Sequence, residues 1–409
     1  MTSSDLSRSH QAYAQEASVQ GGLQRTAAIG AVGAMIGALF AGSTVVTPLY
    51  IMYKQAFGFS QISLTLIYAA YVIGNLCALL VFGSLSDQVG RRPMALAGMA
   101  LAIVSALVFL FARGIAWLYC GRILSGLAIG IGAGTGTAWL AELIGEESKA
   151  RATVLATAAN FTGLGIGALA AGVLAEYVAW PLQLPFAVYL AALAAVMVLV
   201  WLAPETVSRP KASMKDVSFK PRVSVPEEIR RKFVAPVVTG FGSMALVGFY
   251  AALAPTLLAN QLHITNHAIA GTVFLELAVV VAGAIIVTRT LASRRAMLIA
   301  VGLMPPSVAV LVAAQLARSL GLLLIATALC AVASGLGYRG SLQIAPADRR
   351  AELVSAYFIC GFAGNALPVI GVGVVSTLAG PVAASLAFAV TIAIFAIVAL
   401  AFDRRPRPT

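Results

Sequence analysis

From about residue 26 almost to its end, the chain alternates long apolar runs with short polar breaks. Twelve runs stand out, at about 26–53, 61–83, 94–112, 116–140, 152–176, 184–203, 236–258, 267–288, 296–316, 320–343, 352–378 and 381–402. A helix needs about 20 apolar residues to cross about 30 Å of hydrocarbon. Lipid offers the backbone no hydrogen-bond partners, so a run of that length must satisfy its own N–H and C=O groups as a helix. The pattern therefore predicts an all-α integral membrane protein with twelve transmembrane helices. The longest polar break, 204–235, divides them six and six. This organisation reads as a polar tail over 1–24, a six-helix bundle over 25–203, a linker over 204–235, a second bundle over 236–402 and a tail over 403–409. Pro48, Pro255 and Pro368 fall inside apolar runs and free backbone carbonyls, which predicts local bending there.

Composition strengthens this picture. Hydrophobic residues make up 60% of the chain and charged residues 10%, where soluble domains carry about a quarter charged. The first 24 residues lack an apolar core and read as a disordered tail, not a signal peptide. The net charge of +12 would suit a nucleic-acid partner if the basic residues were clustered without regard to the helices. They are not. With the amino terminus placed inside, 22 of the 27 Lys and Arg fall on that side, and only Lys54, Arg113 and Arg318 fall outside. This is the positive-inside bias. It predicts that both termini are cytoplasmic and needs no nucleic acid, while the linker charges suit lipid headgroups. Cys77, Cys120, Cys330 and Cys360 all lie in apolar runs with no close pair, so they read as small buried packing residues and no metal or disulfide pattern is present. No cofactor is expected. A G-x-x-x-x-G-K-[ST] loop is absent, which argues against ATP hydrolysis, and no catalytic triad is visible, so the chain does not read as an enzyme.

The halves echo each other. Arg91-Arg92 and Arg294-Arg295 lie 203 residues apart, Asn160 and Asn365 lie 205 apart, and Ser125-Gly126 and Ser334-Gly335 lie 209 apart. Such internal symmetry is the trace of a transporter built from repeats. The second-half loop from Thr288 lacks the acid and the glycine of the first, so the two loops cannot do the same job.

Between Gly83 and Pro93 the chain reads G-S-L-S-D-Q-V-G-R-R-P, with Gly83, Asp87, Gly90, Arg91 and Arg92 in a charged loop between two apolar runs. This G-x-L-x-D-x-x-G-R-R pattern resembles the loop 2–3 signature of the major facilitator superfamily of secondary transporters. The Pro204-Glu205-Thr206 after the sixth run and the R-x-x-x-G beginning at Arg122 on the fourth are also similar to that family. The resemblance implies two six-helix bundles rocking about a midplane site, with the Asp87 loop latching the halves near Ala351 to Leu353 at the start of the eleventh helix. The fifth run, from Asn160, carries Gly163, Gly167 and Gly172 at spacings that allow close helix approach. It resembles the fifth-helix motif of drug–proton antiporters, but Gly167-Ala168 and Ala171-Gly172 replace that motif's Gly-Pro and Gly-Gly.

A charge inside the membrane is a functional candidate by default. Glu276 alone among the acids lies well inside a run, about ten residues or roughly 15 Å from its outer end. A carboxyl there either changes protonation as a cavity changes sides, or simply bonds a neighbouring helix. The family resemblance implies that Arg122 faces the cavity, and snorkelling to the interface is the alternative. Arg339 is either a second cavity cation or one more inside charge. Tyr71, Asn75, Asn160, Tyr250 and Asn365 could line a cavity or bridge helices. The function expected is proton-coupled efflux of small organic or drug-like compounds across a bacterial inner membrane by a monomer. The alternative is uptake or exchange of a small anionic metabolite held by Arg122 and Arg339. A sensor or lipid-handling protein is a third class, for which no sensor domain is visible.

Overall fold

The computed structural model describes residues 23–82, 85–145, 149–207, 227–342 and 350–403. The sequence-predicted terminal tails beyond these bounds, Gly83, and most of the linker lie outside the described residues. The elements are α1 (Arg25–Thr44), α2 (Tyr50–Phe57), α3 (Gln61–Phe82), α4 (Ser86–Val89), α5 (Arg91–Leu110), α6 (Ile115–Ile144) and α7 (Lys149–Tyr177). They continue with α8 (Leu184–Trp201), α9 (Glu227–Asn260), α10 (His267–Val287), α11 (Ser293–Leu316), α12 (Leu320–Leu342), α13 (Arg350–Ala379) and α14 (Pro381–Asp403). Among the described residues twelve helices are long and apolar enough to span a membrane, and no strand occurs.

One apolar run is broken. Pro48 has no N–H, and the chain turns at 45–49 with Thr47 N–H donating to Thr44 C=O at 2.9 Å and Leu49 N–H to Val46 C=O at 3.1 Å. Helix resumes as α2. Pro255 and Pro368 lie within α9 and α13 without ending them.

Packing follows the small residues. A side chain at Gly126 of α6 would run into the Tyr71 carbonyl of α3, and one at Gly74 of α3 into the Ile123 carbonyl of α6. The first half packs α3 and α5 on α6, and α1 on α6 and α7. In the second half α11 packs on α12 and α9 on α13. The two halves meet along two seams, α3 with α13 and α7 with α10. They also touch through α2 and α9, at the ends of the bundles remote from the chain termini. Val46, Leu49 and Tyr53 share an apolar core there with Phe249, Leu253 and Leu257 of the second half. Ala28, Val32, Met35 and Leu143, toward the other end, belong to a core made by the first half alone.

Candidate functional site

Arg122, Tyr68, Tyr71, Tyr250, Glu276 and Asn365 stand 7 to 14 residues from the remote ends of their helices. At 1.5 Å per residue that is roughly 10–20 Å deep, near the middle of the spans. Three groupings form at this level.

Arg122 is fully buried. Its Nη1 donates to the Ser43 carbonyl at 2.7 Å and its Nε to the Tyr50 hydroxyl at 2.8 Å, with Nη2 donating to the same hydroxyl. The guanidinium lies 5.4 Å from the ring centre of Tyr50 and 5.6 Å from those of Tyr68 and Tyr71. Among the described residues no carboxylate pairs with it. A buried cation without a counter-ion needs another source of negative potential, and three ring faces and two oxygens supply it. The Pro48 break makes this possible, because Tyr50 opens a new helix two residues later.

Asn365 joins the halves. The hydroxyls of Tyr68 and Tyr71 both donate to its Oδ1 at 2.7 Å, and its Nδ2 donates to the Met244 carbonyl at 3.2 Å. Each group is used as its chemistry allows: two donors on one amide oxygen, one acceptor on the amide nitrogen.

Glu276 is half-buried on α10, with Oε2 enclosed and without a hydrogen-bond partner. The buried Tyr250 hydroxyl also lacks a hydrogen bond of ordinary geometry, and it lies within electrostatic reach of Glu276 and beside Thr327 and Cys330. Asn160 on α7 has a buried Oδ1 with no partner. Asn75 is buried on α3, where Gly130 of α6 lies against it.

Arg339 is elsewhere. Its Nη2 donates to the carbonyls of Arg289 and Leu291 at 3.0 and 2.6 Å, in the turn between α10 and α11 at the end bearing the termini. It does not join Arg122. Of the fifth-run glycines, Gly163 and Gly167 seat α7 on Gly37 and Ala41 of α1, while Gly172 seats it on His267 of α10 across the seam.

The loop motif builds a second constellation, inside the first half. Arg91 pairs with Asp87 at 2.5 Å and Glu142 at 2.6 Å, and donates to Ser86 at 2.7 Å. Glu205 caps the start of α5, accepting from the Arg91 and Arg92 backbone N–H groups at 2.9 Å each. Gly90 has φ of 120°, and the Glu205 carboxylate lies 2.8 Å from where a side chain would begin. Thr206 donates to Glu142, and Trp139 Nε1 to the Pro204 carbonyl at 3.2 Å. The latch position expected for Asp87, Ala351 to Leu353, opens α13; the side chains of Ala351 and Glu352 are not among those described, and the described ion pair of Asp87 is with Arg91.

Sequence reasoning missed Ser43, Tyr50, Tyr68, Glu142 as the partner of Arg91, and Glu205 as a cap. Tyr68 and Tyr71 carried a signal, since a spacing of three puts both on one helix face. Nothing local marked Tyr50.

The sequence model of the Major Facilitator Superfamily matches residues 31–367. Tetracycline resistance protein class C of Escherichia coli is 33% identical over 106 residues, 26% of this chain and 26% of that protein. Chloramphenicol resistance protein CraA of Acinetobacter baumannii is 25% identical over 145 residues, 35% of each. The transporter paaT of Penicillium rubens is 29% identical over 152 residues, 37% of this chain and 28% of that protein. The matches thus span about a quarter to a third of these relatives. In three dimensions the chain is similar to an inward-facing, unoccupied bacterial homologue of the human lysosomal transporter Spinster. The TM-score is 0.72 at 14% identity, covering 94% of this chain and 99% of that one, a likeness of fold alone.

Proposed function

The chain belongs to the major facilitator superfamily, a family of transporters and not of enzymes, and from that premise we propose that it exports small organic or drug-like compounds in exchange for protons. The observation that carries this reading is Glu276. It is a carboxyl near the middle of a span, with one oxygen enclosed and unpartnered, in a protein whose other described acids sit at helix ends or in loops. Such a group takes up a proton when its surroundings are dry and releases it when the rocking bundles expose it to water. Glu142 and Glu176 cannot serve in this way, because Arg91 and His267 already hold them.

The resistance proteins among the relatives support an organic, drug-like cargo. The shared apolar core at the remote ends and the separate core at the other end support a state open toward the termini. Under the positive-inside bias that end is cytoplasmic, and the bacterial resistance proteins among the relatives support a bacterial inner membrane. The chain works as a monomer, since two bundles enclose the pathway.

Anion uptake or exchange is the second reading. Arg122 favours it, as a buried cation with no described carboxylate partner. Against it, that guanidinium is sealed by tyrosines in this conformation, and Arg339 is committed to loop carbonyls.

The test is substrate-driven proton movement in proteoliposomes, followed with a pH-gradient dye against lipophilic drugs and organic acids. Proton movement with lipophilic compounds, abolished in Glu276→Gln, is the expected result. Movement with organic anions alone, or unaltered proton coupling in Glu276→Gln, overturns it.

A further inference from the structure

At the remote end of the α7–α10 seam a carboxylate reaches from the first half to the second. Glu176 stands one residue before the end of α7, and His267 opens α10. Glu176 Oε2 accepts from the His267 backbone N–H at 2.8 Å. The ring Nδ1 of His267 lies 2.9 Å from the same oxygen, where an Nδ1–H donates to a carboxylate whether the imidazole is neutral or charged. Two neighbouring contacts cross the seam beside this pair. Asn266 Nδ2 donates to the Tyr177 hydroxyl at 3.4 Å, and a side chain at Gly172, about one turn before Glu176, would run into the His267 carbonyl.

The start of α10 is thus completed by both halves. The first N–H groups of a helix have no partner within it. Asn266, the helix's own cap, takes the Ile269 N–H at 3.1 Å, while the His267 N–H goes to Glu176 of the first half. Negative charge also suits a helix amino terminus. The repeat offset of 205 that relates Asn160 to Asn365 sets Pro381 opposite Glu176, and proline has no carboxylate to offer. The arrangement belongs to one seam.

We propose that Glu176 is the clasp that holds the remote ends of the two halves together, gripping the α10 amino terminus when they meet and releasing it when they part. In the released state the His267 N–H and the carboxylate each return to water, so the contact favours the closed remote end. Glu176 and His267 are 27% and 20% exposed, and an exposed ion pair alone would contribute little. The backbone N–H is what adds to it, since a hydrogen bond to a charged group shifts such an equilibrium by about tenfold or more. Glu176 is a positioning residue, acting on the conformation and not on the cargo. The inference rests on two rocking bundles and not on the proton-coupled reading, so the failure of one leaves the other standing.

The test is the separation of the remote ends in the full chain in lipid nanodiscs, read by spin-label distances. Labels go at Arg113 in the first half and Leu316 in the second, both exposed at that end. The native cysteines are replaced by alanine, because Cys77 and Cys120 are exposed and not buried as their apolar runs suggested. Glu176→Ala should raise the separated population about tenfold relative to the close one. Glu176→Gln, which keeps an acceptor and loses the charge, should raise it by less. His267→Ala keeps the backbone N–H and should also fall short of Glu176→Ala. Glu176→Cys combined with His267→Cys, joined by a short bifunctional thiol reagent, should remove the separated population. An unchanged or smaller separated population in both Glu176→Ala and Glu176→Gln overturns the clasp, as does a larger effect of His267→Ala than of Glu176→Ala. A lowered unfolding temperature in the Glu176 variants with an unaltered distance distribution overturns it too, since the carboxylate would then cap α10 in every state.

Discussion

Arg122 is fully buried, and a guanidinium taken out of water must be offset by the contacts it makes. Most of that compensation converges on one hydroxyl, since two of its nitrogens donate to Tyr50. Tyr50→Phe keeps the ring and removes the acceptor. It should cost about 1–3 kcal/mol, the range for leaving a buried donor unsatisfied, and should lower the unfolding temperature of the purified protein. An unchanged midpoint would mean that the ring faces alone hold the guanidinium. At this scale the sequence was partly legible. A charge in an apolar run announces itself by its cost, so Arg122 and Glu276 could be picked out. Their partners could not, because Tyr50 and Arg122 are 72 residues apart and meet only after α1, α2 and α6 pack.

The helices show how one or two residues place an element. Pro48 ends α1, and the displaced α2 carries Tyr50 to Arg122. Glu205, at the far end of the first half, supplies the acceptor that the first N–H groups of α5 lack. Negative charge suits a helix amino terminus as well. Glu205→Ala should cost about 1 kcal/mol locally. Hydrogen exchange at the Arg91 and Arg92 amides should then quicken about fivefold, the factor that energy represents, if exchange follows local opening. Equal exchange in both proteins would assign the capping to other groups. The existence of these helices was readable from hydropathy, and so was a bend at Pro48. That the P-E-T after the sixth span caps the third was not, since the two segments are 113 residues apart.

Across the whole molecule, the halves meet along two seams, α3 with α13 and α7 with α10. Asn365 bridges the α3–α13 seam, with two tyrosine donors on its oxygen. Asn365→Leu removes the acceptor from both hydroxyls at once and should loosen this seam. Cross-linking between cysteines placed at the remote ends of α2 and α9 should then fall severalfold, if those ends part more often. Undiminished cross-linking would show that the apolar core shared by Val46, Leu49 and Phe249 holds that end shut by itself. Arg339 marks the limit of the repeat argument. It could be read from sequence as a cavity cation or a shallow one, and its reach to the carbonyls of Arg289 and Leu291 places it with the α10–α11 turn.

The sequence by itself determined the solvent of this protein and hence its fold class. A chain that is 60% hydrophobic, cut into runs of about 20 residues, has helices as its only way to satisfy a backbone in lipid. It also carried the repeat, because Asn160 and Asn365 keep their spacing whatever surrounds them. Tertiary structure alone decided what each asparagine does. Asn365 meets two hydroxyl donors, while Asn160 keeps a buried oxygen with no partner. The physical reason is that periodicity assigns a side chain to a face of its own helix, whereas a hydrogen bond needs a complementary group on another helix, at a distance that only packing sets.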